Sequence, residues 1–324
     1  MYVPYDEPLI AYRASTMNYT LHQLRIFHTI SRTKSITKAA EELHLSQPAV
    51  SIQLRQFQEQ FDVPLVEIVG RKLYVTDFGQ EIARAAERIL DEVDAIDFRT
   101  QSYKGRLSGR LRFSIVSTAQ YFVPTLLSEF YRAHEGIEWQ MDVTNKARVV
   151  ESLERNEVDF AIMSILPESL NVNTLEIMDN KLFVVSNTPV ASKRKHVERG
   201  ILQDMPLIYR EQGSGTRTLL ERFAREHGLP TRKKLELSSY EAVKQAVLAG
   251  LGASIIPLIG IRHELEARKL HIINIKGFPI TSTWRLVWLA SKRLSPSAES
   301  FLATITKDRR RLVREHFSWM KKYE

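Results

Sequence analysis

The sequence predicts an α/β protein: a mostly helical N-terminal winged helix-turn-helix, a long linker helix, and two α/β lobes. Three observations carry that prediction. Three short apolar periodicities of helical spacing precede a two-strand hairpin, one long run follows with near-heptad spacing, and then β-prone and helical segments alternate. The 324 residues suffice for two or three domains. Apolar residues at 44% and charged residues at 26% are ordinary globular values, which argues against a disordered or fibrous chain. No uninterrupted apolar run reaches the length of about 18 residues that a membrane span needs, so no membrane association is expected. Residues 1–16 include Pro4, Asp6, Glu7 and Pro8 and lack the basic start and apolar core of a secretory signal, so a cytoplasmic location is expected. With 0 cysteines, disulfides, thiolate zinc sites and cysteine nucleophiles are excluded.

From Leu21, Leu24, Phe27 and Ile30 recur at a spacing of three with Ile26 beside them, which predicts a helix to about residue 33. A second helix over 36–43 takes Ser35 as its N-cap and packs through Ala39, Ala40 and Leu43. After His44-Leu45, Ser46 caps a third helix running to about residue 61. Pro48 falls in its first turn, where a missing N–H costs nothing. Val50, Leu54, Phe57 and Phe61 form the buried side of that helix, which leaves Gln47, Ala49, Ser51, Ile52, Gln53 and Arg55 on or near a small, polar opposite side. Two β-prone runs, 65–69 and 73–76, flank Gly70-Arg71-Lys72, a tight hairpin with two cations at its tip. Behind a helix-turn-helix this reads as a wing. The helix predicted from residue 77 carries Phe78, Ile82, Ala85, Ile89, Val93 and Ile96 close to a heptad seam, with Glu, Asp and Arg on its other faces. So narrow an apolar stripe predicts a dimer partner as its cover.

The segment 104–110, Lys-Gly-Arg-Leu-Ser-Gly-Arg, has no apolar period and reads as a hinge. The predicted division is an extension over 1–18 without a motif, a winged helix-turn-helix over 19–76, a linker helix over 77–104, a hinge over 105–110, and two lobes over 111–324. The first lobe takes about 111–185 and 284–324, the second about 186–283. Strands are expected over 111–116, 139–144, 159–163, 175–177, 182–186, 207–210, 235–238, 253–257 and 285–290. Helices are expected over 123–134, 147–156, 216–227, 240–249 and 258–267. Such alternation predicts parallel sheets with crossover helices, and a basic helix from Ser297 suggests a return to the first lobe.

The formal net charge of +8 suggests an anionic partner, yet residues 1–104 hold 12 basic against 14 acidic side chains. The excess lies wholly in the lobes, so local pattern and not bulk charge has to locate any DNA contact. The third helix can lie in a major groove with Ser46, Gln47, Pro48, Ala49, Ser51 and Gln53 at base edges. There Gln47 and Gln53 suit adenine, and Ala49 and Ile52 suit thymine methyl groups. Spacing alone also fits a trihelical packing unit with no DNA. Ser117 and Thr118, after a strand and before a helix, suit either an anion or simple N-capping. The loop 209–217, Tyr-Arg-Glu-Gln-Gly-Ser-Gly-Thr-Arg, can form a backbone nest for carboxylate or phosphate, though many strand-to-helix turns are glycine-rich and it lacks the lysine of a nucleotide P-loop. The 9 histidines show no metal-ligand spacing, so no metal is expected. Arg309, Arg310, Arg311 and Arg314 read as a solvated helix face.

The stretches Leu24-Arg25-Ile26-Phe27, Ser35-Ile36-Thr37-Lys38-Ala39-Ala40-Glu41-Glu42-Leu43 and Leu45-Ser46-Gln47-Pro48-Ala49-Val50-Ser51, closed by Arg71 and Leu73-Tyr74-Val75-Thr76-Asp77-Phe78-Gly79, together resemble the N-terminal signature of LysR-type transcriptional regulators. The resemblance implies that Ser35, Thr37, Gln47, Pro48, Ala49, Ser51, Gln53 and Arg55 face DNA, with Arg71 and Lys72 on phosphate or in the minor groove. Members commonly carry a polar or basic residue where this chain has Ile52, so the base met there differs or is read by methyl contact. Few cations lie on this face, so binding as a homodimer or homotetramer is expected.

The lobes resemble the effector-binding domain of the same family, itself similar to periplasmic solute-binding proteins, and the likeness spans about residues 19–293. The segments 117–124, 145–147, 156–159 and 210–217 most resemble the branch that controls carbon-dioxide fixation operons, which responds to phosphorylated sugars, phosphorylated acids or reduced nicotinamide nucleotide. The resemblance implies an effector pocket at Ser117, Thr118, Asn145, Arg210, Ser214 and Thr216. It implies a small anionic metabolite of open identity, no cofactor, double-stranded promoter DNA as partner, and RNA polymerase as a further contact. Two other readings compete with this one. An enzyme would need a nucleophile, base and orienter in one motif, and Gln212 breaks the Gly-x-Ser-x-Gly elbow around Ser214. A solute-binding protein would lack the N-terminal helices.

Overall fold

A computed structural model describes residues 18–70, 72–102, 107–190, 197–230 and 232–323. The chain forms two compact units, Met1–Asp97 and Phe98–Glu324. The predicted extension lies, but for Asn18, outside the described residues, as does Arg71.

In the first unit, α1 (Leu21–Thr33) opens with a capping box in which Thr20 accepts from the Gln23 amide and the Gln23 side chain accepts from the Thr20 amide. Next come α2 (Ile36–Glu42) and α3 (Gln47–Gln58), capped by Ser35 and Ser46, which accept from the amides of Lys38 and Ala49. Leu24, Ile26, Phe27, Ile30, Ala39, Ala40, Val50, Leu54 and Phe57 are buried together. Helix α3 ends short of the expected residue 61, but Phe61 still meets Phe57 at 5.1 Å and Phe78 at 5.9 Å between ring centroids. Strands β1 (Val66–Val69) and β2 (Lys72–Val75) form the antiparallel wing, with Gly70 at φ +65° in its turn.

Helix α4 (Asp77–Ser102) starts where Thr76 Oγ1 accepts from the Gly79 amide at 2.9 Å. A Cβ on Gly79 would sit 2.0 Å from the Leu65 carbonyl oxygen, a backbone atom that cannot swing aside. Gly79→Ala is therefore expected to cost about 1–3 kcal/mol, seen as a lower thermal midpoint and weaker wing protection in hydrogen exchange. The single-stripe expectation for α4 needs correction, because Ala83, Ala86 and Leu90 are buried on this helix and Phe78 and Ile82 pack onto the unit's own trihelical core. Ile89 and Ile96 remain 40% and 62% exposed, while Ala85 and Val93 are half-buried.

The second unit runs β3 (Gly109–Val116), a 3₁₀ turn (Ser117–Tyr121), α5 (Val123–Ala133), β4 (Ile137–Thr144), α6 (Lys146–Glu154), β5 (Phe160–Met163), β6 (Val172–Ser186), α7 (Ile201–Asp204), β7 (Leu207–Arg210), α8 (Gly215–Glu226), β8 (Lys233–Leu237), α9 (Tyr240–Leu248), β9 (Ser254–Pro257), a 3₁₀ turn (Leu258–Gly260), α10 (Arg262–Glu266), β10 (His271–Ile273), β11 (Ile280–Leu289) and α11 (Pro296–Phe317). The main sheet has the order β10-β6-β11-β5-β3-β4, with β9 also on β6, while β7 pairs with β8.

Several expectations are corrected here. Gly109 and Arg110, assigned to the hinge, begin β3 because they pair with Ile137 and Glu138, and Arg110 meets Glu138 at 3.0 Å. The sheet is mixed: β3 lies parallel to β4 and β5, but β11 runs antiparallel to β5 and β6, and β9 and β10 antiparallel to β6. The two strands expected at 175–177 and 182–186 are one strand, β6, shared by both lobes. Its first half pairs with β11 across a bulge between Trp284 and Arg285, and its second half pairs with β9 and β10. Leu182 to Val185 therefore pack in the second lobe's clusters and not in the first lobe, which moves the boundary back toward Asn180. The helix expected over 258–267 is a 3₁₀ turn and the short α10, separated at Ile261, which is fully buried. Helix α11 does return to the first lobe, where Phe301, Ile305, Leu312 and Phe317 enter the core beside Phe113 and Phe130 and Arg311 reaches Glu129 at 2.6 Å.

Candidate functional site

Two regions gather the residues singled out from the sequence. On α3, Ser46, Gln47 and Pro48 are exposed at the N-terminal end, Ile52 is 55% exposed, and Ala49, Ser51 and Gln53 are partly exposed. Gln47 Nε2 donates to Ser51 Oγ at 3.2 Å, so two candidate readers are held in one arrangement before any duplex arrives. Ser35 and Ser46 spend their hydroxyls on capping, which positions α2 and α3. Thr37 is exposed beside Lys38, a cation absent from the residues singled out in the sequence. Arg55 pairs with Glu59 at 3.1 Å; both side chains are largely exposed, so this pair yields readily to a phosphate. Lys72 is exposed in the wing.

In the second unit, Ser117, Thr118, Asn145, Arg210, Ser214 and Thr216 all line one cleft, together with Lys146, Ser164 and Asn180. Three kinds of local structure bring them together. Ser117 and Thr118 leave the end of β3; Asn145 caps α6, accepting from the Arg148 amide at 3.1 Å; and Ser214, Gly215 and Thr216 form the start of α8. The capping alternative for Ser117 fails, since the 3₁₀ turn has no side-chain cap and Ser117 Oγ accepts from Arg210 Nη1 at 3.3 Å. Gly213 at φ +88° lets its carbonyl accept from the Ala147 amide at 3.2 Å, which ties the two lobes beside the cleft.

Arg210 is only 5% exposed. Its Nε and Nη2 donate to the two carboxylate oxygens of Glu211 at 2.8 and 2.9 Å, and Asn145 Nδ2 donates to the same carboxylate at 3.2 Å. The floor is Asn180, 4% exposed, whose Nδ2 donates to Ser282 at 3.1 Å and Ser164 at 3.4 Å. Among the described residues Lys146 makes no ion pair, so it is the unneutralised cation of the lining. Elsewhere between the lobes, Tyr121 Oη donates to Glu241 at 3.0 Å, and Lys244 bridges Glu241 and Glu264 at 3.1 and 3.0 Å. Burial, then the hydrogen bond to Glu241, hold the Tyr121 phenol well above its ordinary range, so it stays a donor. Lys146, Ser164, Asn180 and Glu211 were missed from sequence; the polar break in the apolar pattern around Asn180 was the available signal. The cleft, with two helix starts, two cations and several hydroxyls, can hold an anion.

Comparison with known proteins points the same way. A family model described as the LysR substrate binding domain matches residues 104–310, and one described as the bacterial regulatory helix-turn-helix protein, lysR family, matches residues 21–80. The RuBisCO operon transcriptional regulator of Allochromatium vinosum is 39% identical over 287 residues, covering 88% of this chain and 95% of that one. The transcriptional activator CmpR of Synechocystis sp. is 38% identical over 288 residues, covering 88% and 94%. The structure of the Synechocystis CcmR regulatory domain in complex with 2-PG is similar at 36% identity and a TM-score of 0.59, covering 61% of this chain and 96% of that one.

Proposed function

The chain belongs to the LysR family of bacterial helix-turn-helix regulators, and from that premise we propose that it binds promoter DNA as a homo-oligomer under the control of a small anionic metabolite held between its lobes. It is a transcriptional regulator and not an enzyme. No described helix is long and apolar enough to cross a membrane. In this reading the protein acts on promoter DNA in the cytoplasm, as its match to the regulatory helix-turn-helix family supports. The genes it controls in this reading serve carbon-dioxide fixation, which is supported by the two relatives named as RuBisCO operon transcriptional regulators. In this reading Gln47, Ala49, Ser51, Ile52 and Gln53 meet base edges, Thr37, Arg55 and Lys72 meet backbone, and α4 joins protomers through Ile89, Val93 and Ile96.

The observation that carries the ligand half of the reading is the convergence of a buried arginine, a lysine and two helix starts on one cleft. Effector and operator then alter each other's affinity by the same factor, typically about 5- to 150-fold. The test is gel retardation of the promoter fragment beside the protein's own gene, titrated with phosphorylated acids including 2-PG. Retardation that responds to one of them is the expected result. Gln47→Ala is expected to weaken binding to that fragment by about 1–3 kcal/mol and to relax the base preference at one position. An unchanged preference removes Gln47 from the readout, and no retardation of any promoter fragment ends the reading.

A further inference from the structure

The cleft is not waiting empty-handed for an anion. Its most buried cation, Arg210, already holds a carboxylate, and that carboxylate belongs to the next residue along the chain. Glu211 presents both oxygens to Nε and Nη2 of Arg210 and takes the amide of Asn145 from the other lobe. These are the donors that a ligand's acidic group would need, and they are occupied in the geometry that a bidentate ligand carboxylate would take.

We propose that Glu211 is a tethered stand-in for the effector's acidic group, a built-in competitor that the effector must displace from Arg210 and Asn145 to bind. The inference rests on the reading of the cleft as an anion site and adds to it a rule for which anions succeed. A ligand arriving from solution competes with a carboxylate on the same chain, whose effective concentration is of millimolar order or higher. A monocarboxylate offers Arg210 no more than Glu211 already gives, so it loses. A phosphate dianion brings a second charge, and Lys146, which makes no ion pair among the described residues, stands in the lining to receive it. Glu211 has somewhere to go: its side chain is 16% exposed against 5% for Arg210, so the carboxylate can rotate outward to water while the guanidinium stays in place.

The clasp also couples occupancy to the lobes. With Glu211 in place, the second lobe's carboxylate holds the first lobe's Asn145, and Arg210 holds the first lobe's Ser117. Displacement replaces a fixed internal bridge with one made through the ligand, and that exchange gives the effector a differential contact between two states of the cleft.

The test uses the purified full-length chain and isothermal titration calorimetry with inorganic phosphate and acetate as probes. A clasp closed about nine-tenths of the time raises the apparent Kd about tenfold, so Glu211→Gln is expected to bind phosphate about tenfold more tightly than the parent and to gain by the same factor for acetate, whose weaker binding then comes into range. Glu211→Asp, which keeps the charge but withdraws it by one methylene, is expected to fall between. Glu241→Gln removes an equal charge from the other contact between the lobes and is expected to change phosphate affinity by less than about twofold, because a general field effect is screened and a displaced clasp is not. Unchanged or weaker phosphate binding by Glu211→Gln overturns the clasp and leaves the anion site standing. An equal gain from Glu241→Gln also overturns it. Phosphate binding by neither the parent nor Glu211→Gln overturns the anion reading of the cleft and the clasp together.

Discussion

Replacing Arg210 with methionine is expected to abolish anion binding in the cleft and to destabilise the second unit at the same time. The side chain is 5% exposed and its partner carboxylate 16%, so the substitution strands a mostly buried charge. Removing one member of such a pair costs about 3–5 kcal/mol in well-buried cases, and the partial exposure of Glu211 brings the expectation to about 2–3 kcal/mol. The second variant separates the two losses. Arg210→Met combined with Glu211→Gln removes the stranded charge, and the side-chain carbonyl introduced at position 211 can still accept from Asn145. Its thermal midpoint is expected to recover most of the way to the parent, while phosphate binding stays absent. A double-mutant cycle in calorimetric stability measures the coupling directly. If the single and double variants are equally unstable, Arg210 contributes through packing against its neighbours and not through its charge. If the double variant binds phosphate like the parent, the cation of the site is Lys146 alone.

The contrast between this pair and the rest of the cleft shows where sequence reading reached and where it stopped. The second and third helices of the first unit were legible because each start carries its own cap: Ser35 and Ser46 accept from the amide three residues on, a local rule with no tertiary input, while the first was legible from the spacing of Leu24, Phe27 and Ile30. The six cleft residues were found through resemblance and through turn chemistry at strand ends, which is also local. Strand β6 reads as two in the sequence because Asp179, Asn180 and Lys181 interrupt its apolar pattern. That interruption has a structural counterpart, since Asn180 lines the cleft and donates to Ser164 and Ser282, partners 16 and 102 residues away. The mixed direction of the sheet was equally out of reach, because β6 and β11 pass between the lobes and their pairing depends on contacts far apart in sequence. Glu211 reads in the sequence only as part of the loop 209–217; its hydrogen bond to Asn145, 66 residues away, is a tertiary contact that no local pattern announces.

Placing a charge in the seam of α4, as Ile89→Glu, is expected to turn the oligomer into a monomer and to remove operator binding while both units stay folded. The argument begins with what α4 already buries. Ala83 and Ala86 face the core of their own unit and Leu90 is also buried, so that side of the helix is satisfied within one chain. Ile89 is 40% exposed and Ile96 62%, one heptad apart on a different side, and a second copy of the same helix is the cover whose spacing matches. A glutamate at position 89 points into solvent in the single chain and costs the fold little, but in a paired seam it meets its own copy, and two like charges desolvated together are strongly unfavourable. The consequence for DNA follows from the cation count. Arg55 is shared with Glu59 and the wing offers only the adjacent pair Arg71 and Lys72, so one protomer makes few phosphate contacts and binds weakly. Two protomers joined by α4 make the second engagement intramolecular, worth about 100-fold or more in apparent affinity, and that is the factor the variant is expected to lose. Sedimentation and gel retardation on the same preparation check both steps. A monomer that retards the promoter fragment as well as the parent refutes the role of the seam in DNA binding, and an unchanged oligomer with intact retardation moves the protomer contact off this face of α4.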